Sequence, residues 1–181
     1  ELARLSEFAL ETDQLEQMQA WDAAYYSEKL KRKLHNIDPE QVKEYFPLDN
    51  VLTGLFKILH SLYKINFVKV NEFDTWHQDV QLYQLTDNAG VSIGYLYMDF
   101  YARSKKRSGA WMDECTQRRL NSNGSIQSPV AFITCNSSPP TKTSPAFFTH
   151  YDVETLFHEF GHGLQHMLTK VDYAGISGIS G

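Results

Sequence analysis

The pentad His-Glu-Phe-Gly-His at residues 158–162 constrains the fold of this 181-residue chain more than any other part of its sequence. On an α-helix, residues four apart lie on the same face, so His158 and His162 can direct both imidazoles at one metal ion. Neutral imidazole nitrogen suits Zn²⁺, and Glu159 can reach a water on that ion. The spacing therefore predicts a zinc-peptidase arrangement, with two histidine ligands and a glutamate as general base.

The residues around the pentad predict the helix that this arrangement requires. Thr149 followed by Asp152 resembles a capping box, and the glycine-rich sequence around Gly175 is a stop signal. We therefore expect a helix from about Tyr151 to Thr169. The alternative is an ordinary surface helix with two solvated histidines. Apolar side chains recur at helical spacing, namely Val153, Leu156, Phe157, Phe160, Leu164, Met167 and Leu168.

Two glycines, Gly161 and Gly163, lie inside the predicted helix. Each costs about 1 kcal/mol of helix stability relative to alanine, so a compensating reason is expected. Either the glycines allow tight packing against a neighbouring element, or they exclude bulk beside the metal so that a substrate can approach.

A catalytic zinc site has three protein ligands, and this sequence shows only two. The metzincin spacing would place the third at position 168, which is Leu168, so that subclass is excluded. His166 would not complete a tetrahedral set with two ligands on the same straight helix; we expect it to support the site from outside the ligand set or to lie at the surface. His150 and Asp172 stay undetermined. Since the chain also begins without Met, we expect a fragment of a longer polypeptide.

Five patterns, the last of which contains the pentad, run in order through the chain. They are AWDAAYYSEKL (20–30), EYFPLDNVLTGLF (44–56), GYLYMDFYARSKKRSGAWM (94–112), PVAFITCN (129–136) and FTHYDVETLFHEFGHGLQHML (148–168). Together they resemble the thimet oligopeptidase family, and most closely its bacterial oligopeptidase A branch. The resemblance covers essentially the whole chain. Gly161 is typical of that family, whereas Gln165 stands where close relatives often have another histidine.

The resemblance implies a zinc-dependent metalloendopeptidase that hydrolyses short oligopeptides. It also implies a fold that is mainly α with a small antiparallel β-sheet (α+β), as part of a helical clamshell, zincin-like peptidase. His158 and His162 would be the first two zinc ligands and Glu159 the general base, with one Zn²⁺ per full-length chain. The third ligand, a glutamate, would follow the last residue here. The rest of the parent chain would then be needed to complete the site, and the isolated fragment would be inactive.

Composition argues against other classes of partner. The net charge of −5 argues against nucleic acid, because phosphate binding needs clustered cations, and the basic run 103–107 is expected to be a solvated loop. No apolar stretch approaches the roughly 20 residues that span a bilayer. Cys115 and Cys135 form neither a metal-ligand spacing nor a disulfide framework. They indicate reduced thiols and a cytoplasmic location. We expect oligopeptides as partners, with no nucleic acid and no membrane.

The whole chain, residues 1–181, is predicted to be a single segment of a catalytic peptidase region, incomplete at both ends. It divides into a helical part, a strand-rich part and the metal-binding helix, at residues 1–76, 77–136 and 145–170. The helical part contains a helix-like region over the first 35 residues and two further helices, Pro39 to Tyr45 and Leu48 to Tyr63.

The strand-rich part predicts a hairpin of Val80 to Leu85 and Val91 to Tyr101, and a third strand from Pro129 to Asn136. If the third strand lies at a sheet edge, it can bind an extended peptide by β-addition; an ordinary buried strand fits the sequence equally well. Four aromatic residues either line a peptide channel or pack in the core, namely Tyr95, Tyr97, Tyr101 and Trp111.

Two other functions fit part of the pattern. One is a non-catalytic helical peptide-binding or structural module whose metal motif is degenerate. The other is a metal hydrolase that acts on something other than peptides.

Overall fold

The computed structural model describes residues 2–36 and 38–180, and it separates into two compact units, Glu1–Lys43 and Glu44–Gly181. The first unit contains three helices: α1 (Leu2–Asp13), α2 (Asp22–His35) and α3 (Pro39–Lys43). Its core forms where Phe8 and Ala9 meet Tyr26. The helix-like region predicted for the first 35 residues is therefore two helices, because Gln14 adopts a positive φ of 56° directly after α1. The division into parts at residues 76 and 145 stays a prediction.

The second unit begins with α4 (Leu48–Tyr63), whose bounds match the predicted helix. Pro47 has an extended backbone and starts α4, and Lys64 ends it in the left-handed conformation. The helix buries one apolar stripe at helical spacing, as the sequence predicts: Leu48, Val51, Leu52, Leu55 and Leu59.

A five-stranded sheet follows, with a separate two-stranded ribbon. The strands are β1 (Asn66–Val70), β2 (Gln81–Thr86), β3 (Ser92–Tyr101), β4 (Trp111–Thr116), β5 (Arg119–Leu120), β6 (Ile126–Gln127) and β7 (Val130–Ser137). The sheet order is β1-β2-β3-β7-β4, and β5 pairs with β6. The predicted hairpin is confirmed, because β2 and β3 pair antiparallel. The α+β class is also confirmed.

One prediction about the sheet needs correction, and one alternative that the sequence left open is decided in favour of the buried strand. The sheet is mixed and not wholly antiparallel, because β3 and β7 pair in parallel. The long connection that contains β4, β5 and β6 makes this possible, since parallel neighbours cannot be joined by a tight turn. The strand β7 is also not at an edge: it lies between β3 and β4. A peptide cannot pair with β7, and the free edge on that side of the sheet belongs to β4.

One face of the sheet packs against α4 and against a further helix, α5 (His150–Leu168). Alternate residues of the central strands supply this face, among them Leu96, Met98 and Ile133, each fully buried. Leu156 and Phe160 of α5 belong to the same core. Within the described residues, no helix is both long enough and apolar enough to cross a membrane.

The opposite face of the sheet holds a buried carboxylate, Asp99, which is 3% exposed. Arg103 binds it with two nitrogens, at 2.6 and 2.7 Å, Lys106 Nζ donates at 2.8 Å, and Trp76 Nε1 donates at 3.0 Å. Burial by itself raises the pKa of Asp99, but the combined effect of these hydrogen bonds is larger and lowers the pKa to about 2. The cluster fixes the loop that runs from β3 to β4.

Replacing Asp99 with asparagine is expected to cost about 2–4 kcal/mol of unfolding free energy, because Arg103 and Lys106 lose their buried counter-charge. The folded-state pKa lies below the ordinary 3.8, so the carboxylate stabilises the fold above pH 4. That contribution is lost as the pH falls toward 2. Urea unfolding at pH 7 and pH 3 measures both effects. Asp113→Asn, at an exposed position of β4, is the control, and equal effects of the two variants would contradict the role given to Asp99.

Candidate active site

The pentad lies on α5, whose ends each fall within one residue of the predicted helix. The predicted capping box is confirmed: Thr149 Oγ1 accepts a hydrogen bond from the Asp152 backbone N–H at 3.1 Å. In return, the Asp152 carboxylate accepts from the Thr149 backbone N–H at 2.8 Å. Residues 46–48 pair with residues 146–148 just before the helix, so the starts of α4 and α5 lie together. The capping box is local and determines the first residue of α5, whereas this pairing positions the start of α5 beside α4.

The two pentad histidines lie on the exposed side of α5. The helix buries Leu156, Phe160 and Met167 against the sheet, whereas His158 and His162 are exposed. This division follows from helical spacing, since the apolar stripe and the pentad histidines occupy different faces. Glu159 lies between these faces and is half-buried.

The imidazoles of His158 and His162 converge. Their Nε2 atoms are 3.2 Å apart, and the ring planes are nearly perpendicular, at 85°. Two nitrogens bound to a tetrahedral Zn²⁺ at about 2.0–2.1 Å would be separated by about 3.3–3.4 Å. The observed separation and the imidazole nitrogen donors therefore fit a shared zinc ion. The same distance also allows one ring to donate a hydrogen bond to the other.

No third ligand joins this pair within residues 2–36 and 38–180, where no group of three His, Cys, Asp or Glu side chains could hold a metal. His150 is exposed and faces Glu154 at 3.5 Å, and Asp172 is bound by Arg118. Both residues that the sequence left undetermined are therefore engaged elsewhere.

His166 is not a surface residue, so that alternative is wrong. It is fully buried, and its Nε2 donates a hydrogen bond to the Thr116 carbonyl oxygen at 2.9 Å. Its Nδ1 lies 3.5 Å from Glu114 Oε2. The contact attaches the last turn of α5 to the end of β4. It joins residues 50 positions apart, and no local pattern in the sequence indicates it.

The two glycines of α5 have different surroundings. A Cβ on Gly163 would meet Ile133 Cδ1 at 3.5 Å, so this glycine faces the packed sheet. A Cβ on Gly161 would have no atom within 4 Å. Neither position requires glycine for reasons of space, because 3.5 Å is an ordinary van der Waals contact. Gly161 leaves the exposed side of the helix open beside the histidines.

The aromatic residues proposed for a channel are partly used in packing. Tyr97 forms a cluster with Phe73, Trp76 and Phe132, at ring-centroid distances of 5.4–5.9 Å. Tyr101 packs against the main core. For these two tyrosines the packing interpretation holds.

Sequence comparisons place the whole chain among peptidases. The model of peptidase family M3 matches residues 1–181. The chain is 48% identical over 181 residues to oligopeptidase A of Escherichia coli (strain K12), covering 100% of this chain and 27% of the relative. Identity to oligopeptidase A of Salmonella typhimurium is 47%, with the same coverage. Identity to the organellar oligopeptidase A of Arabidopsis thaliana is 41%, covering 90% of this chain and 21% of that relative. The chain spans about a quarter of the length of the first two relatives.

Proposed function

Because this chain belongs to peptidase family M3, we propose that it carries the metal-binding helix of a zinc-dependent oligopeptidase. The observation that carries the proposal is the 3.2 Å separation of the His158 and His162 Nε2 atoms on the exposed side of α5. Two imidazole nitrogens at this distance, with a carboxylate on the adjacent residue, are the donor set that a catalytic zinc needs from one helix.

Each pentad residue has a defined role in the proposed reaction. His158 and His162 would hold the ion, which when bound would act as a Lewis acid that polarises the scissile carbonyl and lowers the pKa of water. The Glu159 carboxylate accepts a proton from the attacking water and then donates it to the leaving amine nitrogen. The buried side of α5 holds the pentad side chains in fixed relative positions, because Leu156 and Phe160 pack the same two turns into the core.

We place the third metal ligand outside residues 1–181. No described residue joins the two histidines, and the relatives are nearly four times as long as this chain. In this proposal the clamshell walls that select short peptides also come from outside the segment, and residues 1–181 alone are inactive. The cytoplasmic location inferred from the two cysteines is part of the same proposal.

The free edge of β4 offers a place for the peptide backbone. The helix α5 contacts Ser137, at the end of β7, through Asp152, and contacts Thr116, at the end of β4, through His166. The pentad therefore lies alongside the middle of these two strands. Because β4 is paired on one side only, an extended peptide can add to its outer edge and present a carbonyl to the site.

Metal removal tests the proposed function in the full natural protein. We expect hydrolysis of short peptides to fall to background after treatment with a chelator, and to return when zinc is added in slight excess. The measurement is release of new amino termini from peptides of about 5–15 residues. Activity that survives metal removal would contradict the proposal. Hydrolysis of esters without hydrolysis of peptides would favour the alternative of a non-peptide hydrolase.

A further inference from the structure

A cavity of about 200 Å³ lies beside the first two turns of α5. Its walls include Gly109 and Ala110 before β4, Cys135 on β7, and Tyr151 and Thr155 on α5. We infer that this cavity receives an apolar side chain of the peptide substrate and so determines preference at one position of the peptide. The inference rests on the proposed function, because it takes the substrate to be a peptide bound beside the pentad.

The position of the cavity along α5 supports this role. Thr155 precedes Glu159 by four residues and Tyr151 precedes it by eight, so all three share one stripe of the helix. The cavity is therefore about one turn, roughly 5–6 Å, from the carboxylate that accepts the water's proton. Its other wall, Gly109 and Ala110, leads directly into β4, whose free edge is the proposed backbone site. A side chain next to the scissile bond can span this distance.

One polar group of the cavity, the Asp152 carboxylate, already has several hydrogen-bond partners. The Asp152 carboxylate accepts hydrogen bonds from the Thr149 backbone and hydroxyl at 2.8 and 2.7 Å, and from Ser137 Oγ at 3.3 Å. Burial raises the pKa of the Cys135 thiol to about 12, so this wall is uncharged at neutral pH. Ala110, Cys135 and the Tyr151 ring offer apolar surface in the lining, which favours an apolar occupant over a neutral polar one.

The loop wall is held in place before any ligand binds. Asn136 Nδ2 donates to the carbonyl oxygens of Arg107 and Gly109, at 2.8 and 2.6 Å. Gly109 itself has a φ of +95°, a conformation that other residues rarely adopt. Lys106 adds a hydrogen bond to the Tyr101 carbonyl oxygen at 2.9 Å. A preformed wall lowers the cost of ordering on binding, as a specificity pocket requires.

Filling the cavity tests the inference. In Thr155→Leu the larger side chain should occupy the space, and leucine is a good helix former. The assay is kcat/KM for peptides in which each position around the scissile bond is Gly, Leu, Phe or Lys in turn. We expect the preference for Leu or Phe over Gly to fall about tenfold at one position and to change less than about twofold at the others. Thr53→Leu, at an exposed site on α4, is the matched control and should change nothing.

A second variant and a second readout keep the test decisive. Thr155→Ala enlarges the cavity and should shift the preference at the same position toward Phe, even if Thr155→Leu folds poorly. Peptide affinity is measured by calorimetry in the Glu159→Gln background, where hydrolysis does not interfere. If Leu or Phe peptides bind more tightly than Gly peptides but the wild type hydrolyses none of them, the proposed function is wrong, whereas the role of the cavity in peptide binding is supported. If Thr155→Leu lowers kcat/KM equally for Gly and Leu peptides, or if the wild type prefers Lys at this position, the inference is wrong.

Discussion

Replacing Glu159 with glutamine is expected to lower peptide hydrolysis by about 10²–10⁴-fold while leaving the zinc content of the full natural protein unchanged. Glutamine keeps the size and the position of the side chain, and the helix is expected to tolerate it well, since the two residues have similar helix propensity. It cannot accept a proton at neutral pH, so only the acid–base step is lost. The measurements are kcat for a short peptide and zinc per chain by elemental analysis.

A matched control separates this loss from a general effect of removing negative charge. Glu154 lies on the same helix, 65% exposed, and its charged neighbour there is His150, at 3.5 Å. Glu154→Gln should therefore leave kcat within about twofold of the wild type, because surface pairs of this kind contribute little. Hydrolysis retained in Glu159→Gln would remove Glu159 from the mechanism. Zinc lost from that variant would mean that the carboxylate holds the ion and does not act as the base.

Replacing His158 or His162 with alanine is expected to weaken zinc binding by at least about 100-fold. A four-ligand structural zinc site is worth about 10–16 kcal/mol, so one ligand is worth about 3 kcal/mol. Each histidine supplies one of only two ligands visible on α5, and neither contributes to the core, so the fold should persist. Competition with a zinc-binding dye measures the affinity, and circular dichroism checks the helix.

The control for these variants is His150→Ala. His150 is the first residue of α5 and is exposed, and it is absent from the pair that converges at 3.2 Å. Zinc affinity should be the same as in the wild type. Equal losses in all three histidine variants would indicate a nonspecific effect on the helix and would contradict a site built on His158 and His162.

The helices could be predicted from the sequence because their information is local. The bounds of α4 follow from apolar spacing, and those of α5 follow from apolar spacing and from the Thr149–Asp152 capping box. The pairing of β7 could not be predicted in the same way. Its partners β3 and β4 are distant in the chain, and a central strand and an edge strand of this length have similar local patterns.

The strand β4 shows why local patterns failed elsewhere in the sheet. Its sequence, Trp-Met-Asp-Glu-Cys-Thr, places two acidic residues in its middle, which is typical of an exposed segment. The structure makes it an edge strand, with Asp113 exposed and the Glu114 carboxylate 3.5 Å from the buried His166. The short strand β1 was also not predicted, since only five residues carry its pattern.

The features of the candidate site also fall into two groups, those that local spacing predicts and those that depend on contacts between distant segments. The spacing of His158, Glu159 and His162 predicts their shared side of one helix, and the structure brings the two histidines together. By contrast, the contact between His166 and the Thr116 carbonyl joins separate elements, and the cavity at Thr155 is assembled from three of them. Features of this second kind depend on packing between distant segments, and a single sequence does not encode them in any periodic pattern.

A zinc site built on His158 and His162 is tested most directly by the X-ray absorption spectrum of zinc in the full natural protein. We expect about one zinc per chain, with the scattering pattern of two imidazole nitrogens at about 2.0–2.1 Å and oxygen in the remaining positions. In the His158→Ala, His162→Ala double variant that imidazole signal should disappear. A protein that binds no zinc, or a zinc whose spectrum lacks imidazole or keeps it in the double variant, would contradict the claim.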